Sequence, residues 1–181
     1  TPAFGSLNER QLEYLDHIGT SSAVLLTIVN DILDLATVDA GIMQLDIDDV
    51  AVMDEISAAA KRVSERLQEH DIALNVDIAD DVETFRADAN RVRQVLFNLL
   101  SNASNYAPEG STVSLQVVRE GTDILFAVHD DGPGMPGDVL DTVFKRFQAY
   151  QNGGRRRGVG LGLSIVKSFV ELHGGRVEIE T

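Results

Sequence analysis

The sequence predicts an α+β fold: a two-layer sandwich of one mixed β-sheet and one helical layer, preceded by a long bundle-forming helix. Two observations carry this. Beyond about residue 40, apolar patterns of period two come in runs, and patterns of helical period are grouped around them rather than alternating strictly with them. Before that point, two interleaved heptad series, Leu15-Ser22-Val29 and Ile18-Leu25-Ile32, mark a packing seam.

That seam predicts one helix over residues 8–38. Val24, Ile28 and Leu35 widen the stripe beyond what two strands need, which favours a four-helix bundle formed by dimerisation over packing on the helix's own domain. Ala40-Gly41 ends it, with glycine suited to the C-terminal cap. Residues 42–47 read as a strand. Residues 53–69 read as a helix presenting Ile56, Ala60, Val63 and Leu67. Residues 72–78 alternate as a strand, Thr84–Arg86 forms a short one, and residues 88–106 make a second strong helix. Ser111–Arg119 and Asp123–His129 form a hairpin turning at Glu120-Gly121-Thr122. Gly162–His173 is a helix closed by Gly174-Gly175, and Val177–Glu180 is a last strand.

Composition narrows the function. A net charge of −14 excludes binding nucleic acid through a general positive field. With no cysteine there is no disulfide and no thiolate metal site. No apolar run reaches 18 residues, so no membrane span or direct membrane contact is expected, and a cytoplasmic location fits. The histidines at 17, 70, 129 and 173 lack metal-ligand spacing. Neither a P-loop nor a nucleophile elbow occurs.

Three blocks carry chemistry. The helix at 88–106 turns Val92, Val95, Leu96, Leu99 and Ala103 to the sheet, while Arg91, Gln94, Asn98, Asn102 and Asn105 share another face. A stripe of amides is either water-facing or holds a metal and phosphate; buried, it needs partners. Asp130 follows a strand, and Gly132 and Gly134 allow a tight turn and close approach. The block is a plain Pro/Gly turn, or a site where the carboxylate accepts from an exocyclic amine such as that of adenine. Its G-x-G-x-x-G spelling is not a dinucleotide fingerprint, because two prolines remove N–H groups and no βαβ unit surrounds it. Gly158, Gly160 and Gly162 directly precede a helix, where exposed N–H groups favour an anion. The polar stretch 148–157 before it has the composition of a mobile lid, and Arg155-Arg156-Arg157 beside it could meet phosphate.

In combination these blocks resemble the ATP-binding domain of sensor histidine kinases, in the wider GHKL (Bergerat) group with gyrase B, Hsp90 and MutL. Asp88–Ala103 resembles the N box, Asp130–Met135 the G1 box, Val143–Phe147 the F box and Gly158–Leu163 the G2 box. The resemblance implies ATP and Mg²⁺ as cofactors. It implies Asn102 and Asn98 at the metal and phosphates, and Asp130 on the adenine amine with Gly132, Gly134 and Met135 shaping the pocket. Asn105 and Tyr106 would border the site, Tyr106 packing on the base. Phe144 and Phe147 would anchor the lid, and Gly158, Val159, Gly160, Leu161 and Gly162 would line the phosphates. ATPase relatives place a water-activating glutamate where Asn98 stands. An amide cannot serve as that base, so the resemblance is to a site that transfers phosphate rather than hydrolysing ATP quickly.

The same resemblance implies that residues 1–40 are the second helix of a dimerisation and phosphoacceptor domain, its first helix absent, and residues 41–181 the catalytic domain, its C-terminal strand truncated. The implied partners are a second copy through the helix bundle and a response-regulator receiver domain. Asn105 stands where the family has a basic residue, and His17 lacks the acceptor setting. Residues 4–14 also resemble alphaproteobacterial cell-polarity kinases of the DivL type. The expected function is ATP binding and dimerisation in a two-component histidine kinase, unable to phosphorylate itself as this chain alone. The alternative is a pseudokinase scaffold that recruits partners.

Overall fold

The computed structural model describes residues 7–140, 142–148 and 159–181, apart from the side chain of Asp138. Gly158, Arg155–Arg157 and nearly all of the stretch read as a lid lie outside the described residues. The chain divides into two compact units, one ending at Met43 and the other starting at Gln44.

The first unit is helix α1 (Glu9–Asp39). A capping box starts it: the Asn8 side chain accepts from the Gln11 N–H, and the Gln11 side chain accepts from the Asn8 N–H, both at 2.9 Å. Gly41, at φ +65°, ends it by donating to the Val38 carbonyl. Leu15, Ile18, Leu25, Val29 and Ile32 of the heptad series are exposed on this single chain. By length and composition α1 is apolar enough to cross a membrane, although helices of other kinds pass the same test. Counting uninterrupted apolar runs missed it because Thr27, Asn30, Asp31 and Asp34 break the run, while the Val, Leu and Ile residues around them keep the mean hydropathy high.

The second unit runs β1 (Asp48–Ala51), α2 (Val52–Glu69), β2 (Ala73–Ile78), β3 (Thr84–Ala87), α3 (Ala89–Tyr106), β4 (Thr112–Glu120), β5 (Asp123–His129), the short α4 (Gly137–Leu140) and α5 (Gly162–Leu172). The main sheet has the order β2-β4-β5 and is mixed, with β2 parallel and β5 antiparallel to β4. The hairpin pairs Glu120 with Asp123 around Gly121, whose φ of +64° suits glycine. Strand alternation buries Val113, Leu115 and Val117 of β4 completely, while Ser114 and Gln116 face away. Against that face pack Ile56, Ala59, Val63 and Leu67 of α2 and Leu96, Leu100 and Ala103 of α3. The result is the expected sandwich of a mixed sheet under helices.

Details differ from the sequence reading. The first strand is Asp48–Ala51 rather than 42–47, and it pairs antiparallel with β3 as a separate two-stranded sheet. Burial explains the shift: Val50 is buried and pairs with Phe85, whereas Ile42 and Ile47 are exposed. Residues 177–180 form no strand; alternation marks a segment able to pair, but a ladder needs a partner edge. On α2 the buried alanine is Ala59, in step with Val52, Ile56 and Val63. On α3, Leu100 is buried and Leu99 only partly so, because α3 packs against both α2 and α5.

The α2–α3 contact also buries a charge. Glu55 is 5% exposed and accepts from Arg93 Nε at 2.8 Å and Nη2 at 3.0 Å. Replacing Arg93 with methionine leaves that carboxylate without its fork-shaped partner. Since the Arg93 side chain is 38% exposed, the expected loss is about 2 kcal/mol, below that of a fully buried pair. Urea unfolding measures it as a lower midpoint at unchanged slope.

Candidate functional site

Helix α3 is aimed by its N-cap. The Asp88 carboxylate accepts from the N–H groups of Asn90 at 3.0 Å, Arg91 at 3.1 Å and, from outside the helix, Asp46 at 3.1 Å. With Leu96, Leu100 and Ala103 fixed in the core, helical geometry puts Asn98 and Asn102 side by side on another face.

Asn98 is the chemically telling residue. Its side-chain nitrogen is buried and, among the described residues, has no hydrogen-bond partner. An unsatisfied buried donor costs about 1–3 kcal/mol, so its presence signals a group that supplies an acceptor. The same amide abuts the start of α5: a Cβ added at Gly162 would lie 3.4 Å from Asn98 Oδ1. Among the described residues no side chain caps α5, whose N-cap is Leu161. Its first-turn N–H groups thus lie beside an unpartnered amide, which is what an anion requires.

At the other end of the α3 face, the turn after β5 closes over Tyr106. Asp130 Oδ1 accepts from the Gly132 N–H at 2.9 Å. A Cβ at Gly132 would come within 2.5 Å of that oxygen and 3.1 Å of the Tyr106 carbonyl oxygen, so only glycine fits without displacement. Gly134 has φ +67°, and the adjacent Met135 N–H donates to Thr181 Oγ1 at 2.8 Å. From Asn98 to Tyr106 is eight residues, roughly 12 Å of helix. Asn102 lies midway between the two ends.

The glycine block and the Phe-containing stretch meet through backbone. The Phe147 N–H donates to the Gly160 carbonyl at 3.0 Å. Phe147 holds φ +61°, rare for an aromatic residue, and Gly160 holds φ +76°. The Phe147 ring is exposed; Val143 is the buried residue of this stretch, and Phe144 lies against the Lys167 ammonium at 5.6 Å. Val159 is exposed and Leu161 is buried.

Thus the structure joins Asn98 to Gly162, Tyr106 to Gly132 and Asp130, and Phe147 to Gly160. It does not join Asn105 to them. Asn105 Oδ1 accepts from Arg66 Nη1 of α2 at 2.9 Å, and the same nitrogen reaches Ser101 Oγ at 3.2 Å. Sequence reasoning passed over Arg66, since one arginine on a polar helix face carries no signal by itself. It also passed over His173, which bonds to the Asp88 N–H.

A magnesium ion fits these residues in one way. Among the described residues no three acidic, histidine or cysteine side chains stand close enough to hold a metal. The amide oxygens of Asn98 and Asn102 are hard neutral donors, suited to a hydrated Mg²⁺ that brings phosphate oxygens as its main ligands.

Known proteins resemble this chain in sequence and in fold. Residues 87–181 match the family described as histidine kinase-, DNA gyrase B-, and HSP90-like ATPase. The circadian input-output histidine kinase CikA of Synechococcus elongatus is 40% identical over 183 residues, covering 99% of this chain and 24% of the relative. The sensor protein DivL of Caulobacter vibrioides is 35% identical over 175 residues, covering 97% of this chain and 22% of the relative. Full-length ShkA, solved in complex with AMPPNP, superposes with a TM-score of 0.79 at 29% identity, over 94% of this chain and 35% of that one. The chain spans about a quarter of the length of these curated relatives.

Substituting Gly132→Ala forces Asp130 off the turn. The expected result is a loss of about 1–3 kcal/mol in thermal unfolding. In hydrogen exchange, the amide at position 132 should also lose protection.

Proposed function

Because this chain belongs to the family of histidine kinase-, DNA gyrase B- and HSP90-like ATPases, we propose that it binds ATP with Mg²⁺ along the polar face of α3. The phosphates lie between Asn98, Asn102 and the uncapped start of α5; adenine lies at Asp130, Gly132, Gly134, Met135 and Tyr106. The observation that carries this reading is the buried, unpartnered amide nitrogen of Asn98 beside the α5 N-terminus.

Asp130 accepts from the adenine amine while its other hydrogen bond, from Gly132, holds it in place. Asn98 donates to a phosphate oxygen, and the α5 N–H groups add fixed partial positive charge. Asn98 and Asn102 would hold Mg²⁺, which when bound neutralises phosphate charge. Gly160 and Gly162 let backbone approach where a side chain would intrude. With an amide at position 98, water is left without a general base there. That suits a site that positions a γ-phosphoryl for transfer to a side chain.

The relatives support a wider reading. The chain is the ATP-binding and dimerisation part of a cytoplasmic two-component sensor histidine kinase. The γ-phosphoryl passes to an acceptor on a helix outside this chain, then to an aspartate of a response-regulator receiver domain. Residues 1–40 belong to the dimerisation helical domain and residues 41–181 to the catalytic domain. The exposed heptad series of α1 supports pairing with a second copy.

Calorimetric titration with Mg²⁺ and AMP-PNP tests the site. Wild type should bind. Asp130→Asn and Asn98→Ala should each lose about 10- to 100-fold in affinity, the worth of one charge-assisted hydrogen bond. Equal binding by wild type and Asp130→Asn removes Asp130 from the site. In a separate assay with radiolabelled ATP, no residue of this chain should become phosphorylated when it is incubated alone.

A further inference from the structure

His173 at the end of α5 has both ring nitrogens engaged. Nδ1 lies 2.7 Å from the Phe169 carbonyl oxygen, and the Asp88 N–H donates to Nε2 at 3.0 Å. A backbone N–H can only donate, so Nε2 is the acceptor and the proton sits on Nδ1, donating to Phe169. The two partners fix a neutral ring in one tautomer.

The partner of that ring is not an ordinary amide. Asp88 is the N-cap of α3, and its carboxylate already holds the N–H groups of Asn90, Arg91 and Asp46. Asp88 is 7% exposed, so its N–H depends on His173. The start of α3 and the end of α5 are therefore tied into one hydrogen-bonded knot.

The opposite end of α5 meets the middle of α3 on the phosphate side of the site, where Gly162 lies beside Asn98. The helices run antiparallel, and their spans match. Asp88 to Asn98 is ten residues, roughly 15 Å, and His173 back to Gly162 is eleven, roughly 16 Å. Between them the Arg91 guanidinium stacks over the Phe169 ring at 4.8 Å, which holds the helices together but permits sliding. The directional bond at His173 sets their register.

We infer that His173 is a positioning residue: by pinning α5 to the α3 N-cap it sets the α5 N-terminus against Asn98 and so tunes the grip on the phosphate tail. It touches no ligand. The inference rests on the ATP reading above and predicts an uneven effect. On the base side, Asp130 and Gly132 are held by the turn after β5, and neither bonds to α5 among the described residues.

The test compares Mg²⁺-AMP-PNP with adenosine on the whole chain. His173→Leu should weaken AMP-PNP by about tenfold or more and leave adenosine within about twofold. His173→Gln, which puts an acceptor where Nε2 stands, should restore AMP-PNP to within about threefold of wild type. His173→Asn, which can keep only the bond to Phe169, should not. Equal weakening of both ligands, unchanged binding by His173→Leu, or rescue by asparagine as good as by glutamine overturns the inference. If the leucine variant does not fold, the glutamine and asparagine pair decides alone. Hydrogen exchange at the Asp88 amide separates this from failure of the ATP reading. Protection in wild type and His173→Gln, lost in His173→Asn, keeps the tie even if AMP-PNP does not bind; protection in all three sinks it.

Discussion

The arrangement of the site depends on the helical period of α3. Leu96, Leu100 and Ala103 are held in the core by α2 and by the buried row Val113, Leu115 and Val117 of β4. Once they are fixed, Asn98 and Asn102 have one direction to point, and Tyr106 falls at the end of the same face. No loop has to be ordered to place them. A site built on a packed helix is held more accurately than one built on loops.

What the helix displays is an unmet need for hydrogen bonds. Native proteins seldom bury an amide without a partner, and the Asn98 nitrogen is such a case. Beside it, the start of α5 has no side-chain cap among the described residues. Each is a modest cost alone. Side by side, an amide and backbone dipoles are what an oxygen-rich anion requires. In a chain of net charge −14 this matters. Attraction to a nucleotide must be local, because the overall field repels it.

Most of the sandwich was legible because strand and helix periods were clean over β2, β4, β5, α2, α3 and α5. The blocks at Asn98–Asn102, Asp130–Gly134 and Gly160–Gly162 stood out in the sequence because amides and glycines are odd choices for exposed faces. Illegible parts had non-local causes. Whether 42–47 or 48–51 forms the first strand is decided by Phe85, more than thirty residues away. The turn of Asn105 toward Arg66 and the bond from Asp88 to His173 join residues on different helices, and no spacing rule reports them. On α3, sequence alone saw a helix over a sheet; burial of Leu100 shows that a helix flanked by two others buries a wider arc.

The central claim is that the Asn98 amide finds its missing partner in a nucleotide phosphate. The most direct measurement follows the side-chain amide resonances of ¹⁵N-labelled protein as AMP-PNP and Mg²⁺ are added. Saturable shifts are expected at the side chains of Asn98 and Asn102 and at the backbone of Gly160 and Gly162, while Asn75 on the open face of the sheet stays still. An Asn98 side-chain resonance that does not move at saturating nucleotide would contradict that claim.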